Sequence, residues 1–134
     1  IDWTIHQVAI SDKDCETTLG AGLSTNLVNW HDTDPNRPIR MLSLRQFLKE
    51  VSFVPDLIKL DIESYEYEVI TSSMDWLTEH QPRLHLELHS QLMRDRGLSP
   101  EKLMSLLQER YRLLDAVPRR YETAEISRLG LVPK

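Results

Sequence analysis

The chain has 134 residues, a formal net charge of −5, 28% charged residues and 40% hydrophobic ones. That length suits one domain with a core of its own, and the balance excludes an intrinsically disordered chain. An acidic chain without a Lys/Arg cluster argues against nucleic acid or an anionic membrane surface as partner, and no apolar run nears the ~20 residues of a bilayer span.

Taken in order, Thr4 to Ser11 reads as a strand and Asp12–Lys13–Asp14 as a polar turn, with Glu16 to Leu19 able to pair back as a second strand. Cys15 is the only cysteine, so no internal disulfide forms, and a reducing cytoplasm is the simpler setting. Gly20–Ala21–Gly22 lacks the third glycine of a dinucleotide loop and reads as a turn. Leu27, Val28 and Trp30 are expected to pack on the sheet. His31–Asp32–Thr33–Asp34–Pro35 reads as a solvated turn and not as a metal site, having too few His or Cys for zinc.

Ile39 to Leu42 predicts another strand. Ser43 then opens a helix through a capping box with Gln46, and Leu44, Phe47, Leu48 and Val51 form its apolar stripe. After Pro55, Ile58, Leu60 and Ile62 alternate with Lys59, Asp61 and Glu63, the period-2 pattern of a strand. The period changes at Ser64, placed to cap a helix with Tyr67, Ile70, Met74 and Leu77 inward and Glu66 and Glu68 in its first turn. That helix ends near Glu79–His80, because Pro82 cannot continue it.

Leu84 to His89 predicts the next strand, with leucines on one face and His85, Glu87 and His89 on the other. Strand, helix and strand so close together form a right-handed βαβ unit with parallel strands. The polar faces line a crevice or pair with each other, Lys59 with Glu87 being the evident ion pair. Gly97 ends a short helical turn. Ser99–Pro100 opens another helix with Leu103, Leu106 and Leu107 inward. Tyr111 to Val117 is strand-like, Pro118–Arg119–Arg120 breaks it as a solvated turn, and Thr123 to Val132 supplies a last strand.

Asp61, Glu63 and His89 stand at or just past the C-terminal ends of the two parallel strands, where open α/β sheets keep their ligands. On the plainer reading, Glu63 and Glu66 only stabilise the helix start and Lys59–Glu87 is a structural pair. A divalent-metal hydrolase could use Asp61, Glu63, Glu87 and His89. No nucleophile or nuclease pattern accompanies them, so no metal is assigned.

The central stretch, DLIKLDIESYEYEVI from Asp56 to Ile70, resembles the "DLIKIDVEGAEYEVL" signature of the FkbM-type methyltransferases, with Ser64–Tyr65 in place of Gly-Ala. Flanking segments agree in order. VAISDKDCETTL resembles the family's strand and turn, and LSLRQFL resembles "sLDdfl" with Arg45 for the first Asp. PRLHLELHSQL resembles "P.i.lEiH…l", and LLQERYRLL resembles "lL…gY.l". The likeness runs from about Val8 to Leu114.

The resemblance implies an α/β fold with a Rossmann-like, mostly parallel sheet and helices on both faces. It implies S-adenosylmethionine as cofactor and methyl transfer to a hydroxyl of a sugar or small metabolite. His89 would be the base, oriented by Glu87; Asp61 and Glu63 would shape the site, and Lys59, Ser64, Tyr65 and Glu87 would line the crevice. Family members carry a glycine-rich cofactor-holding segment ahead of these motifs. With no counterpart here and a start inside a strand pattern, the chain reads as the later part of such a domain. A non-catalytic binding module, assembling as a homo-oligomer through an exposed sheet edge, is the alternative.

Overall fold

The computed structural model describes residues 2–18, 34, 36–121 and 124–134, with the side chains of 115–127 outside the description. In chain order the elements are β1 (Val8–Ser11), β2 (Cys15–Thr18), β3 (Pro38–Ser43), α1 (Leu44–Val51), β4 (Leu57–Leu60) and α2 (Glu66–His80). Then come β5 (Arg83–His89), α3 (Ser90–Asp95), α4 (Pro100–Arg110), β6 (Tyr111–Tyr121) and β7 (Ala124–Pro133). The Gly20–Ala21–Gly22 turn, the packing of Leu27, Val28 and Trp30, and His31, Asp32, Thr33 and Pro35 all fall outside the described residues.

The strands form two mixed sheets. One has the order β1–β3–β2, with β1 parallel and β2 antiparallel to β3. The other has the order β4–β5–β7–β6; β4 and β5 are parallel, and the remaining two pairings are antiparallel. The expected mostly parallel sheet is therefore corrected to a mixed α/β arrangement. A helix crossover returns β5 alongside β4 in the same direction, whereas β6 and β7 lie too close in sequence for anything but an antiparallel return.

Register decides which side of the second sheet is buried. Ile58 stands opposite Leu84, Leu60 opposite Leu86, and these leucines opposite Leu131 and Leu129. All six are buried, and with Val69, Ile70, Trp76, Leu77, Leu103 and Leu107 from α2 and α4 they form the core. The other face carries Leu57, Lys59 and His85, all exposed, so among the described residues helices cover one face of this sheet and not both.

Local chemistry explains the helix ends. Ser43 Oγ accepts from Gln46 N at 3.3 Å, but the reciprocal half of the capping box comes from elsewhere. Asp14 accepts from Ser43 N at 2.7 Å, and the Gln46 amide donates instead to Glu50. Ser99 caps α4 through Lys102 N, with Pro100 in the first turn. α2 ends at Gln81 in the left-handed region, immediately before Pro82.

Three boundaries differ from expectation. β1 begins at Val8 and not Thr4. β4 stops at Leu60, because Glu63 and Ser64 adopt positive φ of 53° and 81° and turn the chain out of the sheet. Pro118 does not break β6; it pairs with Ser127 on the outermost strand, and Arg119 and Arg120 continue the ladder. An edge strand tolerates a residue without an N–H when that side faces outward.

Tyr111, 1% exposed, closes the base of the core and donates its hydroxyl to Leu77 O at 3.3 Å. Burial pushes its phenol up to about 12 from the ordinary 10. A folded-state value above the unfolded one means stability fully present below pH ~10 and lost as the pH rises toward the folded value. Tyr111→Phe should cost about 1 kcal/mol at neutral pH. In urea melts it should also remove the part of the stability loss that wild type shows between pH 10 and 12; an unchanged alkaline loss would refute this assignment.

Candidate functional site

The site lies where β4 and β5 end side by side and the chain turns into α2. His89, last residue of β5, is 4% exposed. Its Nδ1 lies 3.1 Å from Oε1 of Glu66, and its Nε2 lies 3.8 Å from both Asp61 Oδ1 and Glu63 Oε1. The three sequence-predicted residues Asp61, Glu63 and His89 are thus brought together, Asp61 and Glu63 partly exposed around a buried imidazole.

Glu66 is the residue the sequence reading missed in this role. It is wholly buried, and its Oε1 also accepts from Ile62 N at 2.8 Å. One carboxylate therefore ties the exit of β4, the start of α2 and the end of β5. Its Oε2 is buried without a hydrogen-bond partner. The inward face of α2 runs Glu66, Val69, Ile70, Ser73, Trp76 and Leu77. The expected stripe of Tyr67, Ile70, Met74 and Leu77 does face the core, Ile70 and Leu77 buried and Tyr67 and Met74 packed against it, but it leaves Glu66 as a first-turn charge. A stripe anchored on Val69 and Ile70 would have placed Glu66 at its buried head.

Burial pulls the His89 imidazole down, but the hydrogen bond and charge of Glu66, with the charges of Glu63 and Asp61, outweigh it and leave His89 above the usual histidine range. The folded state thus favours the protonated ring, and that contribution fades as the pH rises through the raised value.

Two pairings expected from the sequence are corrected. Lys59 reaches Asp61 at 2.9 Å and not Glu87. Register is the cause: Lys59 faces His85, whereas Glu87 faces Arg128 across the antiparallel pair. Arg128 Nε sits 2.6 Å from Glu87 Oε1, an ion pair not aligned as a hydrogen bond. Glu66, not Glu87, orients His89. Glu87 still belongs to the cluster, since one ligand atom each from Asp61, Glu87 and His89 lie within 4.8 Å of one another.

Ser64 does not cap α2, whose N-cap is Tyr65 without a side-chain cap bond. Ser64 is fully buried, and Arg96 donates to both its carbonyl and its hydroxyl at 3.1 and 2.9 Å. The same guanidinium pairs with Glu68 and lies 4.3 Å over the Tyr65 ring. Tyr65, Glu68 and Arg96 line a cavity of about 320 Å³ with Ser11, Thr17 and Met41 of the first sheet. Nothing in the sequence pattern singled out Arg96, because its partners lie about 30 residues upstream.

A positive φ strains any side chain with a Cβ. Ser64→Gly and Ser64→Ala both lose the hydroxyl bond to Arg96, so comparing them isolates the strain. The glycine variant should be the more stable by about 0.5–1 kcal/mol in denaturant melts. An alanine variant of equal or greater stability would contradict the strained turn.

A family model described as the Methyltransferase FkbM domain matches residues 4–113 of the chain. No curated protein and no solved structure matches the chain. None of the helices described is long and apolar enough to cross a membrane.

Proposed function

The chain belongs to the FkbM methyltransferase family, and from that premise we propose that it moves a methyl group from S-adenosylmethionine to a hydroxyl of a sugar or small metabolite. The observation that carries this reading is the His89 ring, held at Nδ1 by buried Glu66 while Nε2 faces Asp61 and Glu63.

Transfer to an alcohol is an in-line displacement: the acceptor oxygen bonds to the methyl carbon as the carbon–sulfur bond breaks, and the oxygen gives up its proton. S-adenosylmethionine, when bound, supplies a methyl group activated by a positive sulfonium. The residues fit such a cation, since Asp61, Glu63, Glu66 and Glu87 surround one imidazole with Lys59 and Arg128 as the paired cations. His89 takes the acceptor's proton at Nε2. Glu66 holds the ring in register. Asp61 and Glu63 favour positive charge at the mouth, with Lys59 and Glu87 beside them and Ser64 and Tyr65 in the turn that leads into α2.

The finer fold reading is part of the same proposal. A Rossmann-like arrangement is supported by the parallel β4–α2–β5 unit with its acids at the strand ends. A cytoplasmic setting is supported by the single exposed Cys15. Association through the β4 edge is supported by its pairing with β5 alone among the described residues and by Leu57, 59% exposed.

The test is transfer of radiolabelled methyl from S-adenosylmethionine to a panel of hydroxylated sugars and small metabolites. His89→Gln should lower turnover about 100-fold or more, the scale of a lost general base, while the melting curve stays cooperative. Asp61→Asn should lower it less. Wild-type turnover in folded His89→Gln would overturn the proposal.

A further inference from the structure

Of the two His89 nitrogens, only Nδ1 makes a hydrogen bond. Glu66 accepts from the Nδ1–H, which points Nε2 toward Asp61 and Glu63; in the imidazolium form Nε2 carries a proton there, and an ion binds by displacing it. Among the described residues Nε2 makes no hydrogen bond and faces the Asp61 and Glu63 carboxylates instead. The two oxygens at 3.8 Å are too distant for hydrogen bonds. That spacing suits a shared ion, since two ligand bonds of ~2.1 Å reach across as much as ~4.2 Å.

Glu87 supplies the next ligand, one oxygen of it lying within 4.8 Å of both the Asp61 oxygen and the imidazole. Outer partners are also in place. A metal-bound histidine donates its other N–H to a carboxylate, and Glu66 provides that carboxylate. Lys59 and Arg128 steady Asp61 and Glu87. Four carboxylates around one ring against two cations leave an excess of negative charge for an occupant to neutralise.

We propose that Asp61, Glu87 and His89 Nε2 bind a divalent first-row transition metal, of the Mn²⁺ or Zn²⁺ class. Imidazole together with carboxylates favours these ions over Mg²⁺ and Ca²⁺, which prefer oxygen alone. The inference goes beyond methyl transfer and stands on the cluster itself. An ion on Nε2 occupies the lone pair that would otherwise take a proton, so the two uses exclude each other at any instant.

The full chain, stripped with a chelator and free of S-adenosylmethionine and acceptor, is titrated with Mn²⁺ by electron paramagnetic resonance and with Zn²⁺ by calorimetry. One saturable site is expected, with Mg²⁺ at least ten-fold weaker, and Asp61→Asn or Glu87→Gln weakening Mn²⁺ at least ten-fold. Asp61 is on the surface, so its variant keeps the fold. In the wild type, Zn²⁺ should shift the ¹⁵N resonance of His89 Nε2. No saturable binding, undiminished affinity in Asp61→Asn, or an unmoved Nε2 resonance would overturn the proposal. Neither donor nor acceptor is present, so the result is independent of whether methyl transfer is observed.

Discussion

Everything at this site depends on a carboxylate taken wholly out of water. Glu66 is fully buried, and its one bonded oxygen reaches both Ile62 N and His89 Nδ1. Removing a charge from water costs several kcal/mol unless partners replace the lost hydration. The partners here come from two different strand ends, so satisfying Glu66 requires the exits of β4 and β5 to sit side by side. The positive-φ turn at Glu63 and Ser64 serves the same end, because it brings the first turn of α2 back over the strand tips. Arg96 then holds that turn from outside, through the Ser64 carbonyl and hydroxyl.

The outer face of the second sheet gives the cluster its composition. Alternation puts Lys59 and Asp61 on one side of β4 and its exit, and His85, Glu87 and His89 on the same side of β5. Leucines and Ile58 take the other side and fill the core. A polar face that ends in a buried imidazole is costly for stability, and binding sites are where such costs are tolerated.

Much of this was legible in the sequence because it rests on short-range periodicity. The alternation of 58–63 and 84–89 gave the two strands, their parallel pairing followed from the intervening helix, and the convergence of Asp61, Glu63 and His89 followed from both. The Ser43 and Ser99 caps were readable as local chemistry. What escaped depends on tertiary register. Lys59 and Glu87 looked like partners until the antiparallel β7 set Arg128 opposite Glu87. Pro118 looked like a stop until β6 proved to be an edge. Glu66 was concealed because an apolar stripe does not mark a carboxylate beside it as buried; its burial follows from partners on two strand ends.

The most direct test of the account is a double-mutant cycle on Glu66 and His89, using Glu66→Gln, His89→Gln and the pair, with stabilities from urea melts at neutral pH. If the buried carboxylate and the imidazole hold the two strand ends together, the coupling should be about 1 kcal/mol or more. Single-variant effects that add within about 0.5 kcal/mol would contradict it, because contacting partners in one hydrogen-bonded network do not behave independently.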